Sequence, residues 1–191
     1  LAEGLAKLAQ PKAQFVFSRI DDLPLFSQDL EPSPPAAVAR LKGEIEAADG
    51  VLIVTPEYNR SIPGVLKHAI DWASRPYGKN SFNLKPTAAL GASGGAVGTA
   101  AAQQHLRSIL AYLNVALMGQ PEGYIVFKKD MLDAAGNFTD EGTRKFMQGY
   151  VDAFAAWGWT ADVYHQQTLE PVPPGYRTRH LELADLIEER L

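Results

Sequence analysis

The sequence predicts an open, doubly wound α/β sheet of parallel strands with right-handed crossovers, and three observations carry that expectation. Short apolar runs alternate with stretches of helical periodicity; the run Val51–Val54 is apolar at every position, as in a strand covered on both faces; and the two segments richest in turn residues each follow a buried strand.

The elements follow in order. Leu1, Leu5 and Leu8 share one face of an opening helix. The chain starts inside that helix and with Leu rather than Met, so a further segment is expected upstream. Residues 13–20 alternate well enough for a strand, Asp21-Asp22-Leu23-Pro24 breaks it, and a Pro-rich loop runs to Pro35. Val38, Leu41, Ile45 and Ala48 mark a helix over 36–48, before the strand at 51–54. The rhythm repeats with a helix over 65–74, a strand over 87–92 and a helix over 97–113. Strand-like runs at 115–118 and 124–127, a turn at Ala135-Gly136-Asn137 and a last core helix over 140–157 complete the domain. Residues 1–159 thus form one domain. Residues 160–191, with Pro171, Pro173 and Pro174 before a short amphipathic helix from Leu181 to Leu191, read as a C-terminal arm.

Bulk composition excludes several function classes. With 18 Lys and Arg against 22 Asp and Glu in 191 residues, the net charge of -4 gives no attraction to nucleic acid, and no basic run overrides the average. No apolar run approaches the roughly 20 residues that cross a bilayer, so no membrane partner is expected. Without cysteine there is neither a disulfide framework nor a thiolate metal site, which fits a reducing compartment, and a cytoplasmic protein is expected. His68, His105, His165 and His180 lie far apart with no i, i+4 pair, so no metal site is expected. Trp72, Trp157 and Trp159 have apolar neighbours and read as core or interface residues.

Ligands of such sheets bind beyond the carboxyl ends of the strands, which directs attention to two loops. In 55-TPEYNRSIPG-64, Pro56 stiffens the strand exit and Pro63-Gly64 closes the loop at the next helix, so backbone groups, the Tyr58 ring and the Asn59 amide are held in place. That surface suits a flat heteroaromatic ligand with polar edge atoms, although a plain chain reversal would use the same residues. In 91-GASGGAVGT-99 the glycines admit close backbone approach, and the following helix start favours electron-rich atoms. The same loop fits the G-x-S-x-G elbow of serine hydrolases, with Asp152 and His180 in the right chain order for a triad around Ser93. The short chain and the absence of an upstream Gly-rich oxyanion segment weigh against it.

Two blocks, 54-VTPEYNRSIPGVLKHAIDWASRP-76 and 85-KPTAALGASGGAVGTAAAQQHLRSIL-110, together with 23-LPLFSQDL-30, resemble the NADPH-dependent FMN reductase family, which includes chromate, quinone and azo reductases. The resemblance covers residues 1–158. It implies a flavodoxin-like sheet of order 2-1-3-4-5, noncovalent FMN, and NADPH or NADH as electron donor. It implies as acceptors quinones, nitro and azo compounds, free flavin or oxidised metal anions, and a homodimer or homotetramer as the assembly. Carried over by position, Pro56, Glu57, Tyr58 and Asn59 would line the isoalloxazine ring and Ser93, Gly94 and Gly98 its pyrimidine side, with no catalytic side chain needed because the flavin carries the chemistry. Two departures accompany it. No first strand and no Gly-Ser-Leu-Arg type phosphate loop match, so an upstream segment supplying both is expected; and Arg60 stands where an aromatic residue is frequent. A flavodoxin-like binding or regulatory module that has lost the cofactor is the alternative that the unmatched phosphate loop favours.

Overall fold

In the computed structural model the described residues are 1–169. Three layers stack around a parallel sheet. Its strands are β1 (Val51–Thr55), β2 (Pro86–Ser93), β3 (Ala116–Leu117) and β4 (Gly123–Val126), and its helices are α1 (Ala2–Ala9), α2 (Ala36–Ala47), α3 (Gly64–Ala73), α4 (Ala100–Tyr112) and α5 (Glu141–Leu169). β2 is the hub. It pairs in parallel with β1 from Val51↔Thr87 to Thr55↔Gly91 along one edge, and with β3 and β4 along the other.

Period-two alternation along β2 divides the core between the two faces. Ala89 joins Leu41 and Ile45 of α2, Ala69 and Ile70 of α3, and Leu106 and Leu110 of α4; Ala88 and Leu90 join Leu5 of α1 and Met147, Tyr150 and Val151 of α5. The continuous apolar run of β1 likewise has both faces covered, as predicted, with Ile53 in the first core and Leu52 and Val54 against the second.

Three predicted elements take a different form. Residues 13–20 are not a strand: the segment is irregular, with Val16 and Phe17 exposed. A strand exists only through a neighbour that takes up its N–H and C=O groups. Here Ala13 and Phe15 pack with the α1/α5 core while Ile20 packs with the opposite one, so the segment passes from one face to the other instead of pairing. Second, the helix predicted from Val97 begins at Ala100. Gly98 N–H bonds Gly95 C=O at 3.0 Å and Gly98 holds φ +58°, so a turn precedes the Thr99 N-cap. Third, α5 continues as helix to Leu169, past the expected start of the arm at 160; the prolines at 171, 173 and 174 and the predicted helix over 181–191 lie outside the described residues.

The last strand position is split, and side chains complete the interrupted edge. Thr87 C=O accepts from Met118 N–H and Ser93 C=O from Phe127 N–H, both at 2.8 Å. Ala89 C=O, on the same edge between them, falls opposite the gap between β3 and β4 and accepts from the Tyr150 hydroxyl at 2.6 Å. Burial pushes the Tyr150 phenol well above its ordinary pKa, keeping that proton in place.

Two helical glycines have no structural claim on the position. An added Cβ at Gly43 in α2 or Gly149 in α5 meets nothing within 4 Å. Replacing each by alanine is expected to stabilise the protein by about 0.5–1 kcal/mol. Thermal unfolding of the double variant checks this, with a Tm rise of roughly 2–6 °C expected.

Candidate functional site

β1, β2 and β4 end together, and the residues that follow them gather at that end of the sheet. The first loop is a miniature hairpin. Tyr58 and Ser61 exchange both backbone bonds at 3.0 Å, and Asn59 and Arg60 between them adopt φ +50° and +64°. Two successive left-handed residues make the tight primed turn that closes a two-residue hairpin. Asn accepts that conformation readily; Arg at the second position holds it against its intrinsic preference, which cements the loop's dependence on its surroundings. The Tyr58 ring remains 62% exposed at the hairpin, with Pro56 and Asn59 also exposed.

Glu57 acts differently from its neighbours. Its side chain is only 7% exposed. One carboxylate oxygen accepts Ala102 N–H at 3.0 Å in the first turn of α4, and the other accepts from Arg60 Nη1 at 3.2 Å. The carboxylate thus caps α4 from another element, where helix N–H groups lack internal partners and negative charge is favoured. Thr99, the formal N-cap, instead turns its hydroxyl to Gln103. Glu57 thereby ties the hairpin to the helix that the second loop feeds. His105 Nδ1 lies 3.0 Å from Ser61 Oγ and adds a second tie.

The second loop is pinned from within. Ser93 Oγ donates to Gly98 C=O and accepts Gly95 N–H at 3.3 Å. Gly98 is required on two counts, its positive φ and a Cβ that would stand 2.9 Å from the Tyr124 carbonyl carbon. Gly94 is the opposite case: it is exposed, and an added Cβ there meets nothing within 4 Å. The N–H groups of Asn59, Gly94 and Ala96 form no hydrogen bond with the described residues. A polar-edged planar ligand would find donors on both loops, an aromatic face at Tyr58 and free space beside Gly94. The chemistry of these groups, unbonded donors beside an exposed aromatic ring, suits a flavin ring.

Seven residues were expected at such a site. Pro56, Glu57, Tyr58 and Asn59 stand together at the end of β1, and Ser93, Gly94 and Gly98 at the end of β2, its immediate neighbour in the sheet. The triad alternative is not assembled among the described residues. Ser93 spends its proton on Gly98, and Asp152 pairs with Lys12 at 2.8 Å. His180 lies outside the described residues.

Sequence reasoning missed the supports. Gln103, fully buried, donates to Gly123 C=O and Thr99 Oγ1, both at 2.8 Å, fastening α4 to the start of β4. Tyr124 donates to Glu122 at 2.7 Å and accepts from Gln104 at 3.1 Å; burial first, then the bond to Glu122, holds its phenol above the ordinary range. A glutamine on a helix's buried face was the one signal available, since buried polar groups are seldom without a partner. Val126 and Phe127, both about two-fifths exposed at 41% and 42%, add an apolar edge after β4.

Among the described residues no helix is long and apolar enough to cross a membrane, and no three His, Asp or Glu converge as metal ligands.

Comparison with known proteins accords with this geometry. The NADPH-dependent FMN reductase family matches residues 1–130. A 2-hydroxy-1,4-benzoquinone reductase of Burkholderia sp is 52% identical over 157 residues, 82% of this chain and 86% of that protein. A quinone reductase of Pseudomonas putida is 43% identical over 158 residues, 82% of this chain and 84% of its own. Among solved structures, the flavoenzyme NAD(P)H:(acceptor) oxidoreductase FerB of Paracoccus denitrificans superimposes with a TM-score of 0.81 at 46% identity, covering 84% of this chain and 88% of that one. With the fold, the two strand-end loops and these likenesses in agreement, the chain belongs to the NADPH-dependent FMN reductase family, as an NAD(P)H-dependent oxidoreductase of the quinone reductase type whose cofactor is FMN.

Proposed function

We propose that the protein holds FMN between the loops 56–59 and 93–98 and passes reducing equivalents from NAD(P)H to quinones, with nitro and azo compounds, free flavin and oxidised metal anions as further acceptors. The observation that carries this reading is the pairing of an exposed Tyr58 ring and the unbonded N–H of Asn59 on one loop with free space at Gly94 and unbonded N–H groups at Gly94 and Ala96 on the other. When bound, FMN supplies the carrier chemistry, taking a hydride from the nicotinamide in one half-reaction and reducing the acceptor in the other. The relatives' names support the quinone part of the acceptor range.

The protein's own contribution is positioning. The backbone N–H groups of Asn59, Gly94 and Ala96, free of partners among the described residues, would hold the polar edge of the ring, and Tyr58, presented by the primed turn, would offer it an aromatic face. Glu57 exchanges no proton in this scheme, because both carboxylate oxygens already accept hydrogen bonds and the side chain is sunk. The acceptor gains two electrons and two protons while NAD(P)H gives up one hydride, so the second proton comes from solvent at the open mouth. Donor and acceptor use that mouth in turn, which gives ping-pong kinetics. The reading includes a cytoplasmic location, where NAD(P)H is regenerated, and a homodimer or homotetramer.

Gly94→Val tests it. The new side chain enters free space, so thermal stability is expected to stay within 1 °C of the parent while FMN affinity falls at least about tenfold, corresponding to the roughly 1.4 kcal/mol of a modest steric overlap. Flavin retained after gel filtration is the measurement. Equal retention by parent and variant would remove the ring from this loop.

A further inference from the structure

We propose that Arg60 makes this a reductase of anionic quinones, hydroxyquinones that carry negative charge at neutral pH, selected over neutral quinones of the same shape; this rests on the quinone-reductase reading above and specifies its substrate class. Arg60 occupies the outer corner of the hairpin that presents Tyr58, and its side chain is 72% exposed. A single bond, Nη1 to Glu57 at 3.2 Å, steadies the guanidinium, while Nε and Nη2 form no hydrogen bond with the described residues. A planar fork with two unused donors is the group best matched to a delocalised oxyanion or a carboxylate.

The surrounding charges reinforce it. Glu57, the acid nearest in the chain, is buried and its charge is taken up by Ala102 N–H as well as by Arg60. The loop over 94–99 carries no charged residue, and Lys128, Lys129 and Asp130, all exposed, follow β4 with a net positive balance. Arg60 after β1 and Lys128 and Lys129 after β4 thus place cationic groups on loops at the same end of the sheet, in a chain whose net charge is -4.

The backbone gives an independent reason to regard the position as functional. Arg60 sits at φ +64°, where glycine or asparagine would be less strained, so this residue type is held at a conformational cost. Its ion pair with Glu57 is too exposed on the Arg side to offset much of that cost.

The test compares the holoenzyme with Arg60→Gln and Arg60→Lys, each checked for Tm and bound FMN. Two readouts are taken: kcat/KM for 2-hydroxy-1,4-benzoquinone, an anion at neutral pH, against the neutral 2-methoxy-1,4-benzoquinone; and, with no NAD(P)H present, the Kd of benzoate against benzamide. The ratio of anionic to neutral kcat/KM is expected to fall about tenfold in Arg60→Gln and to recover most of that in Arg60→Lys, with benzoate weakening by a similar factor relative to benzamide. Raising the salt concentration is expected to shrink the wild-type preference. The proposal is overturned if both selectivities stay within twofold of wild type in Arg60→Gln, or if wild-type protein binds benzoate no better than benzamide. If wild type reduces neither quinone while benzoate binding still depends on Arg60, the anion site stands and the quinone-reductase reading falls instead.

Discussion

Gly91→Ala is expected to destabilise the protein by about 3 kcal/mol or more and to disable the site at the same time. A Cβ on Gly91 would stand 2.4 Å from the Thr55 carbonyl oxygen, 2.4 Å from Thr99 Oγ1 and 2.9 Å from Thr99 Cβ. The first of these is backbone of the neighbouring strand, paired with Gly91 in register, and cannot rotate away. Relief requires β1 to part from β2 or the start of α4 to lift, and those are the two bodies that Glu57 joins. The Glu57 bond to Ala102 N–H would lengthen, and the hairpin and the glycine loop would lose their common frame. Urea unfolding and FMN titration on the same variant measure the two consequences. A loss of stability under about 0.5 kcal/mol would mean that strand and helix yield freely, and the picture of a slot with fixed walls would not hold.

Trp72→Ala is the second large effect, expected at about 3–5 kcal/mol. Trp72 is 1% exposed on α3 and forms the anchor for the long connection between α1 and α2. Its Nε1–H donates to Pro24 C=O at 2.9 Å, and the Phe26 ring meets it edge-on at 4.9 Å. His68 Nδ1, one turn earlier, accepts Phe26 N–H at 3.0 Å, while Arg75 lies 5.8 Å from the Phe26 centroid and pairs with Glu31. Truncation leaves a cavity the size of an indole and an orphaned carbonyl. Trp72→Phe separates the two contributions: most of the volume is retained while Pro24 C=O loses its donor, at a cost of about 1–2 kcal/mol. Chemical denaturation gives the totals. Limited proteolysis localises them, with cleavage within 20–35 expected to accelerate in Trp72→Ala well before global unfolding.

How far the sequence alone carried the reading can be traced through individual residues. Val51–Val54 announced a doubly covered strand because burial on both faces removes every polar side chain, and the structure places Ile53 in one core and Leu52 and Val54 against the other. The helices were legible for the same reason, their apolar spacing recording which side faces the sheet. Residues 56–59 and 93–98 were found because proline and glycine mark where a chain must leave a strand abruptly. The alternation at 13–20 misled, because a pattern of side chains states what could be buried and not whether a partner strand is there to bond.

What the sequence determined by itself, then, is what depends on a residue and its near neighbours: the helices, the strands from Val51 onward and the two loops at the strand ends, while the family followed from the resemblance of whole blocks. Only the tertiary structure decided which groups meet across long separations. It made Glu57 the cap of α4, 45 positions along the chain; set Tyr150 over the break between β3 and β4; and left Gly94 free while Gly91 and Gly98 have no room for a methyl group. The physical reason is that periodicity encodes burial one element at a time, whereas a hydrogen bond or a close backbone approach is fixed by two elements at once, whose relative placement no local pattern records.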